Sequence, residues 1–442
     1  MNAQNDSMAH RLLAPPFGVN DQNILTVEGV SVEDLANEYG SPLFVYSAAR
    51  MRDALNQIRA ATHQRVDLFY SIKANPHPAI IRVFREAGAG AEIASGAEYE
   101  FARRAGVQPD RIVFAGPGKS TAELAHVVKR GIAEIHVEAI DELERLRTIA
   151  SNQETPVSIS LRINPVDSAQ GGSMRMGGKA IQFGIDEERI ESVLATYQND
   201  PWVTIKGIHL FAGTQILDAD VLLAQWTHGL GLAKRVAQLL GKPLDTIDLG
   251  GGLGIACFPQ EKPLDLEVIK SRAPAVFSIL DDEPLLTQAR VILEPGRFLA
   301  GPAGIYVTQV ASMKQSRDQW FAVTNGGMNH HLAASGNLGQ VIKKDYPLLL
   351  ATGVNRAHDQ KVTVVGPLCT PLDTYGRKTP LPMPKVGDLI AVMQSGAYGL
   401  SASPSGFLSQ PMAAEVLIDN GKPQLIRAAG SFENPVTGPI GF

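Results

Sequence analysis

Lys73 is the first residue in this chain placed where it could do chemistry. It closes the run Leu68-Phe-Tyr-Ser-Ile-Lys-Ala-Asn-Pro76. Leu68, Phe69, Tyr70 and Ile72 are β-prone, and Ala74-Asn75-Pro76 reads as a turn. Such a strand presents an amine at its carboxyl end, which in an α/β barrel is the face where reactions are run. An amine partly stripped of water by apolar neighbours holds its proton less tightly and can form a Schiff base. The plainer alternative is a solvated lysine at a strand end.

Two further groups lie downstream. Leu249-Gly-Gly-Gly-Leu-Gly254 follows an apolar run. Glycines there let backbone N–H groups approach an anion such as a phosphate. A dinucleotide site does not fit, because the run follows the seventh strand of a series and lacks G-x-G-x-x-G order; a flexible loop stays open as an alternative. Glu294-Pro-Gly-Arg297 follows the eighth strand. A carboxylate at that rim can hold the ring nitrogen of a pyridine cofactor and keep the ring electron-poor. Gly296 and Arg297 can add to a phosphate site, and a surface ion pair is the bland reading. Cys369, in Gly366-Pro-Leu-Cys-Thr-Pro-Leu-Asp373, reads by itself as a small buried hydrophobe. Tyr398, between Gly396-Ala397 and Gly399, reads as a packed tyrosine in a turn.

The elements that must position these residues follow a rhythm. Short apolar strands are predicted at Asp67–Ile72, Gly90–Ile93, Ile112–Phe114, Glu134–Val137, Ser158–Ile163, Ile205–Leu210, Thr246–Leu249 and Arg290–Leu293, with helix-length spacers. Eight such repeats predict a parallel (β/α)8 TIM-like barrel over residues 46–298. No 20–50-residue repeat points to a solenoid. Beyond residue 299 the strands Ile305–Val310, Trp320–Val323, Val362–Val365, Asp388–Val392 and Ala414–Ile418 lack long helices between them. They predict an antiparallel β domain over 299–442. Residues 1–22 read as a leader. A helix is expected from the cap Ser31 to the stop at Gly40, followed by a strand Pro42–Tyr46.

Composition narrows the classes. The 442 residues are 44% hydrophobic and 19% charged, with a net charge of -5, as in an ordinary globular protein. There is no basic footprint for nucleic acid and no run of about 18 apolar residues to span a membrane. The polar N-terminus carries no signal-peptide pattern. Cys257 and Cys369 form neither a disulfide framework nor a metal-ligand spacing, so no metal is expected. A cytoplasmic enzyme with reduced thiols is the simplest reading.

Taken together the motifs resemble a known family. Y-x-x-K-A-N, E-I-A-S-G-A-E, G-T-Q, D-L-G-G-G-L-G, E-P-G-R, G-P-x-C and G-A-Y-G occur in the order found in the fold-type III pyridoxal-phosphate decarboxylases, which act on ornithine or diaminopimelate. The likeness runs from about residue 24 to 418. It implies an alanine racemase-like fold in which residues 1–45 join the β domain, pyridoxal 5'-phosphate as cofactor, and a homodimer with active sites at the interface. Lys73 would carry the Schiff base, with Glu92 close to it and Arg162 near the cofactor. Gly250, Gly251 and Gly252 would hold the phosphate with Gly296, Arg297 and Tyr398, and Gly213 and Thr214 would line the same site. Glu294 would bond the pyridine nitrogen. Cys369, from the second subunit, would protonate the carbanion left after carbon dioxide departs.

The chain departs from the family at two places. His209-Leu-Phe211-Ala-Gly213-Thr214-Gln215 replaces H-x-H-I-G-S-Q, so Phe211 would stack where a histidine usually does. Thr370 replaces the acidic residue after the cysteine, and Asn329-His330-His331-Leu-Ala-Ala-Ser335 replaces an arginine–tyrosine pair. Thr370, Asp373, His330 and His331 would therefore face the substrate's distal end, where a charged group loses partners worth roughly 1.5–3 kcal/mol each. Phe114-Ala-Gly-Pro-Gly-Lys119, Met174-Arg-Met-Gly-Gly178 before Gln182-Phe-Gly184, and Leu368-Cys-Thr-Pro371 resemble the butirosin- and siderophore-pathway branch. The resemblance implies a modified or carrier-linked amino acid as substrate, with an acyl carrier protein as a partner. Free diaminopimelate is the alternative. A racemase on the same barrel would place a tyrosine base and an arginine at the ring nitrogen, where Glu294 stands. A non-catalytic regulator would have lost some of Lys73, Glu294, Tyr398 and Cys369.

Overall fold

The computed structural model describes residues 7–166, 174–175, 180–211, 213–340, 343–438 and 440. They form two compact units. One comprises residues through Asp53, Ala256–Glu261 and the chain from Leu299 onward; the other comprises Ala54–Ile255 and Lys262–Phe298.

The second unit is a closed barrel of eight parallel strands. In chain order they are Val66–Ser71, Gly90–Ile93, Ile112–Phe114, Glu134–Val137, Val157–Asn164, Val203–His209, Thr246–Asp248 and Arg290–Leu293. Each pairs with its neighbours in sequence, strand eight with strand one. Most strand boundaries fall within two residues of the expected ones. The helices between them start and stop on local chemistry. Thr121–Arg130 begins on a reciprocal Ser120–Glu123 capping box, and Ala219–Leu240 begins on Asp218 and ends at Gly241 with φ +64°, a conformation that suits glycine.

The lumen of this barrel is polar. Alternate residues of a strand face opposite sides, so Glu134 and His136 of strand four share one face. Glu134 accepts hydrogen bonds from Ser160 Oγ of strand five, at 2.6 Å, and from Thr246 Oγ1 of strand seven. Strands four and seven are not neighbours, so these side chains meet across the interior. The same alternation brings His136, Arg162, His209, Asp248 and Glu294 inward, above that layer.

The other unit is a mostly antiparallel sheet. Its path runs Thr374–Leu381, Gln360–Val365, Gln319–Thr324, Gly304–Ser316, Leu43–Ser47, Ala414–Asp419, Lys422–Arg427. Two pairings are parallel: Leu43–Ser47 with Ala414–Asp419, and Gln319–Thr324 with Gln360–Val365. The expected antiparallel β domain is thus present as a mostly antiparallel sheet. Its core gathers Leu25, Val32, Leu35, Val45, Ile305, Leu389 and Val416, all buried, each worth about 1.5–3 kcal/mol when removed from water. The helix expected after Ser31 spans Val32–Tyr39, with Ser31 Oγ accepting from Asp34 N–H. Among the described residues no helix is long and apolar enough to cross a membrane.

Candidate active site

Lys73 lies just past barrel strand one, on a single 3-10 turn over Ile72–Ala74. Pro76 forces Asn75 into an extended conformation. Tyr70 Oη donates to Asn75 O at 3.1 Å, and His77 N–H donates to Asn75 Oδ1 at 3.2 Å, which fixes the chain after the lysine. The Lys73 ammonium sits 3.1 and 3.2 Å from the two oxygens of Glu92. The Lys73 side chain is 42% exposed and that of Glu92 only 1%. Burial raises the Glu92 carboxyl above its usual range; Lys73 opposes that rise and Glu294 adds to it. Ser71 Oγ donates to the same carboxylate.

Arg162 pairs with Glu138 at 2.7 Å. Its guanidinium lies over the ring of Phe183 at 4.9 Å and that of Phe211 at 5.9 Å. Lys73 Nζ is 5.8 Å from the Phe211 ring centre. Phe211 is thus an apolar face beside two cations. Gly213–Thr214 forms a short strand paired with Met174–Arg175. The rest of that motif, Met176 to Gly178, lies outside the described residues, as does Ala212.

The glycine loop follows strand seven. Asp248 Oδ1 accepts the Gly250 N–H at 2.8 Å, and the Glu294 N–H donates to Gly250 O at 2.8 Å. Gly250 and Gly252 have φ of +70° and +101°, where a side chain is strained. A Cβ on Gly250 or Gly251 would collide with the Leu210 or Glu294 carbonyl oxygen, and one on Gly252 would lie 2.7 Å from Gly213 O. A Cβ on Gly296 would come within 3.1 Å of Ser71 and Ala74, so the Glu294–Arg297 turn packs directly beneath the lysine turn. Glu294 is buried, and its Oε1 has no hydrogen-bond partner.

These features fit pyridoxal phosphate. A bare-backbone cradle suits a phosphate, a buried carboxylate stands just after strand eight, and an amine stands within the same barrel unit. Glu98, the last residue of E-I-A-S-G-A-E, was given no role by motif reading. Its Oε2 accepts the Ala94 N–H at 2.6 Å. Burial and, less strongly, Glu92 push its carboxyl up to about 7, against the pull of the Ala94 N–H and of Lys73. His136 was missed as well, marked only by its place in the strand alternation, and Asp248 entered only as the first letter of D-L-G-G-G-L-G, with no role given to it.

The remaining candidates belong to the β unit. Cys369 is exposed, with Thr370 beside it half-buried. Tyr398 adopts φ +53° in its glycine-flanked loop. Asp373, His330 and His331, expected toward substrate, are placed otherwise. Asp373 is buried, and its oxygens accept the Met328 N–H at 2.6 Å and the Leu368 N–H at 3.0 Å, tying down the cysteine loop. His330 is 1% exposed and lies 3.2 Å from Tyr306 Oη and 2.8 Å from Pro411 O. His331 is fully buried, edge-on to Tyr306 and Tyr346. A family position carries over as a place in the chain, but here the side chains have gone into packing.

A parallel barrel with a lysine at its strand-one turn, a glycine cradle after strand seven and a carboxylate after strand eight defines a pyridoxal-phosphate enzyme of the barrel type. The family described as pyridoxal-dependent decarboxylase, pyridoxal binding domain, matches residues 48–301. The chain belongs to that family and is a pyridoxal-phosphate-dependent decarboxylase. It is 33% identical over 415 residues to the L-glutamyl-[BtrI acyl-carrier protein] decarboxylase of Niallia circulans, covering 93% of this chain and 96% of that one. It is 32% identical over 413 residues to the diaminopimelate decarboxylase of Aquifex aeolicus, covering 92% and 94%. The crystal structure of Helicobacter pylori diaminopimelate decarboxylase complexed with L-lysine matches with a TM-score of 0.81 at 27% identity, over 91% of this chain and 98% of that one.

Proposed function

We propose that this decarboxylase acts on a modified or carrier-linked amino acid, and that Thr370 carries the distinction. A threonine in that place offers a hydroxyl and no charge, so a free distal ammonium finds no counter-ion there. Similarity to a decarboxylase of carrier-bound glutamate supports the same reading. The comparable similarity to diaminopimelate decarboxylases keeps free diaminopimelate as the second reading.

In this reading bound pyridoxal phosphate supplies the electron sink for the pair released when the α-carboxylate leaves as carbon dioxide. Lys73 would hold the cofactor through its amine, and Glu92, 3.1 Å away, would hold that ammonium when it is free. The Gly251 and Gly252 N–H groups, with Gly296 and Arg297, would bind the phosphate, to which the family resemblance adds Tyr398. Phe211 covers one ring face and excludes water there. Glu294 accepts the hydrogen bond of the ring nitrogen. Cys369 Sγ, from a second copy in a homodimer, gives its proton to the α-carbon.

Carbon dioxide release by the purified, cofactor-loaded protein tests this. The panel is meso-diaminopimelate, lysine, ornithine, arginine, free glutamate, carrier-bound glutamate and a citryl-diaminopimelate conjugate. Release confined to the conjugated substrates is the expected outcome. Release from free diaminopimelate at least as fast as from any conjugate overturns the reading.

A further inference from the structure

Behind Glu294 the barrel lumen holds three more titratable side chains: His136 of strand four, His209 of strand six and Asp248 of strand seven. All are buried to within 1%. One polar atom from each of the four lies within 4.8 Å of the others. His209 Nε2 is 3.4 Å from Glu294 Oε2, His136 Nδ1 is 3.9 Å from Glu294 Oε1, and His136 Nε2 is 3.8 Å from Asp248 Oδ2. The two imidazoles are 4.3 Å apart at their centres. Asp248 is used twice: Oδ1 holds the Gly250 N–H, and Oδ2 faces this cluster.

A charge count shows what the cluster must contain. Each nearby cation already has a carboxylate: Lys73 has Glu92 at 3.1 Å, Lys119 has Glu142 at 2.9 Å, and Arg162 has Glu138 at 2.7 Å. Among the described residues, Asp248 and Glu294 are left with two imidazoles between them. Two bare carboxylates this close in a dry interior repel strongly and share a proton instead. Burial, and then Glu294, push the Asp248 carboxyl far above its usual range, with Glu134 adding to the rise. Burial holds both histidines well below theirs, and Lys119 and Arg162 act in the same direction.

We propose that Asp248 is a neutral, proton-bearing acid that directs its O–H into the His136–Glu294 pair, leaves Glu294 as the anion facing the cofactor, and so positions Glu294 and the Gly250 loop as one piece. The proposal rests on the reading of Glu294 as partner of the ring nitrogen. No proton leaves the cluster: Oδ1 accepts from Gly250, and Oδ2 keeps its hydrogen. A divalent cation bound by two histidines and two carboxylates would neutralise the same charge, and this is the competing outcome.

Asp248→Asn supplies a carbonyl and a donor in the same shape but cannot become an anion; Asp248→Ala supplies neither. In the holoenzyme the Asn variant should release pyridoxal phosphate at least about tenfold more slowly than the Ala variant, and its bound-cofactor absorption should keep the wild-type pH profile across the neutral range. Infrared spectra of the wild type should show a protonated-carboxyl stretch that Asp248→Asn lacks. That measurement needs no cofactor and decides the case even if the Ala variant does not fold. The proposal is overturned if the stretch is absent or unchanged by the substitution, if Asn behaves like Ala, or if the wild type purifies with one equivalent of divalent metal that the Asn variant loses. A wild type that takes up no pyridoxal phosphate would instead sink the assignment of Glu294, while the infrared result would still decide the state of Asp248.

Discussion

The barrel lumen and the Cys369 loop are built on opposite principles. In the lumen, Glu92, Glu134, Asp248 and Glu294 are charged or chargeable groups carried into the interior, and their positions are set by one another and by strand alternation. The Cys369 loop leaves its thiol in solvent and keeps its shape through one buried carboxylate, Asp373, that takes two backbone N–H groups. The difference teaches where each kind of failure should appear. Damage to the lumen should loosen the cofactor, because preorganised buried charges are costly to leave unmatched. Damage to the loop should spare cofactor binding and cut turnover.

Lys73→Ala is the strongest way to break that contrast. Turnover should fall below about one thousandth of wild type, with loss of the bound-cofactor absorption seen in a spectrum of the purified protein. Glu294→Gln should cost roughly 10²–10³-fold in kcat and weaken cofactor retention as well. Cys369→Ala should reduce amine formation by about a hundredfold, while equilibrium titration with pyridoxal phosphate gives an unchanged affinity. A cofactor affinity that fell with Cys369→Ala would erase the division between the two regions. Asp373→Asn weakens two charge-assisted hydrogen bonds and should cost about tenfold in kcat, again with cofactor affinity intact.

The smallest effect expected is on stability. Burial lowers His330 to about 4, against an ordinary value near 6.5. The unfolded chain therefore takes up a proton as pH falls below 6.5, and the folded chain does not until about 4. Stability should be lost across that window as pH falls, by up to about 1.4 kcal/mol per pH unit from this group. Denaturant melts at pH 7 and pH 5 would register it, and His330→Gln should flatten the difference.

The eight barrel strands were legible because each is a short buried run set off by helix-length spacers. Four of them fall on the expected residues. The candidate cofactor residues were legible as motifs at strand ends, a position that topology gives a meaning. Three strands of the β unit's sheet were not seen: Leu348–Leu350, Thr374–Leu381 and Lys422–Arg427. The last two carry Pro380 and Pro423, which argue against a central strand; both turn out to be edges of the sheet, where proline is tolerated. His136 stayed hidden, and Asp248 went without a role inside its motif, because nothing local marks a side chain as inward until the barrel closes. Asp373, His330 and His331 were misplaced because a position matched in sequence says nothing of the way a side chain turns.

The strand Leu43–Ser47 sits between Gly304–Ser316 and Ala414–Asp419 in its sheet. Its first partner is synthesised about 260 residues later and its second about 370 residues later, separations that make closure slow. On a ribosome adding about 5–20 residues per second, this strand waits tens of seconds with both edges open. Through that interval it depends on remaining unpaired, and a nascent chain shielded from its neighbours should fold where a crowded one would aggregate.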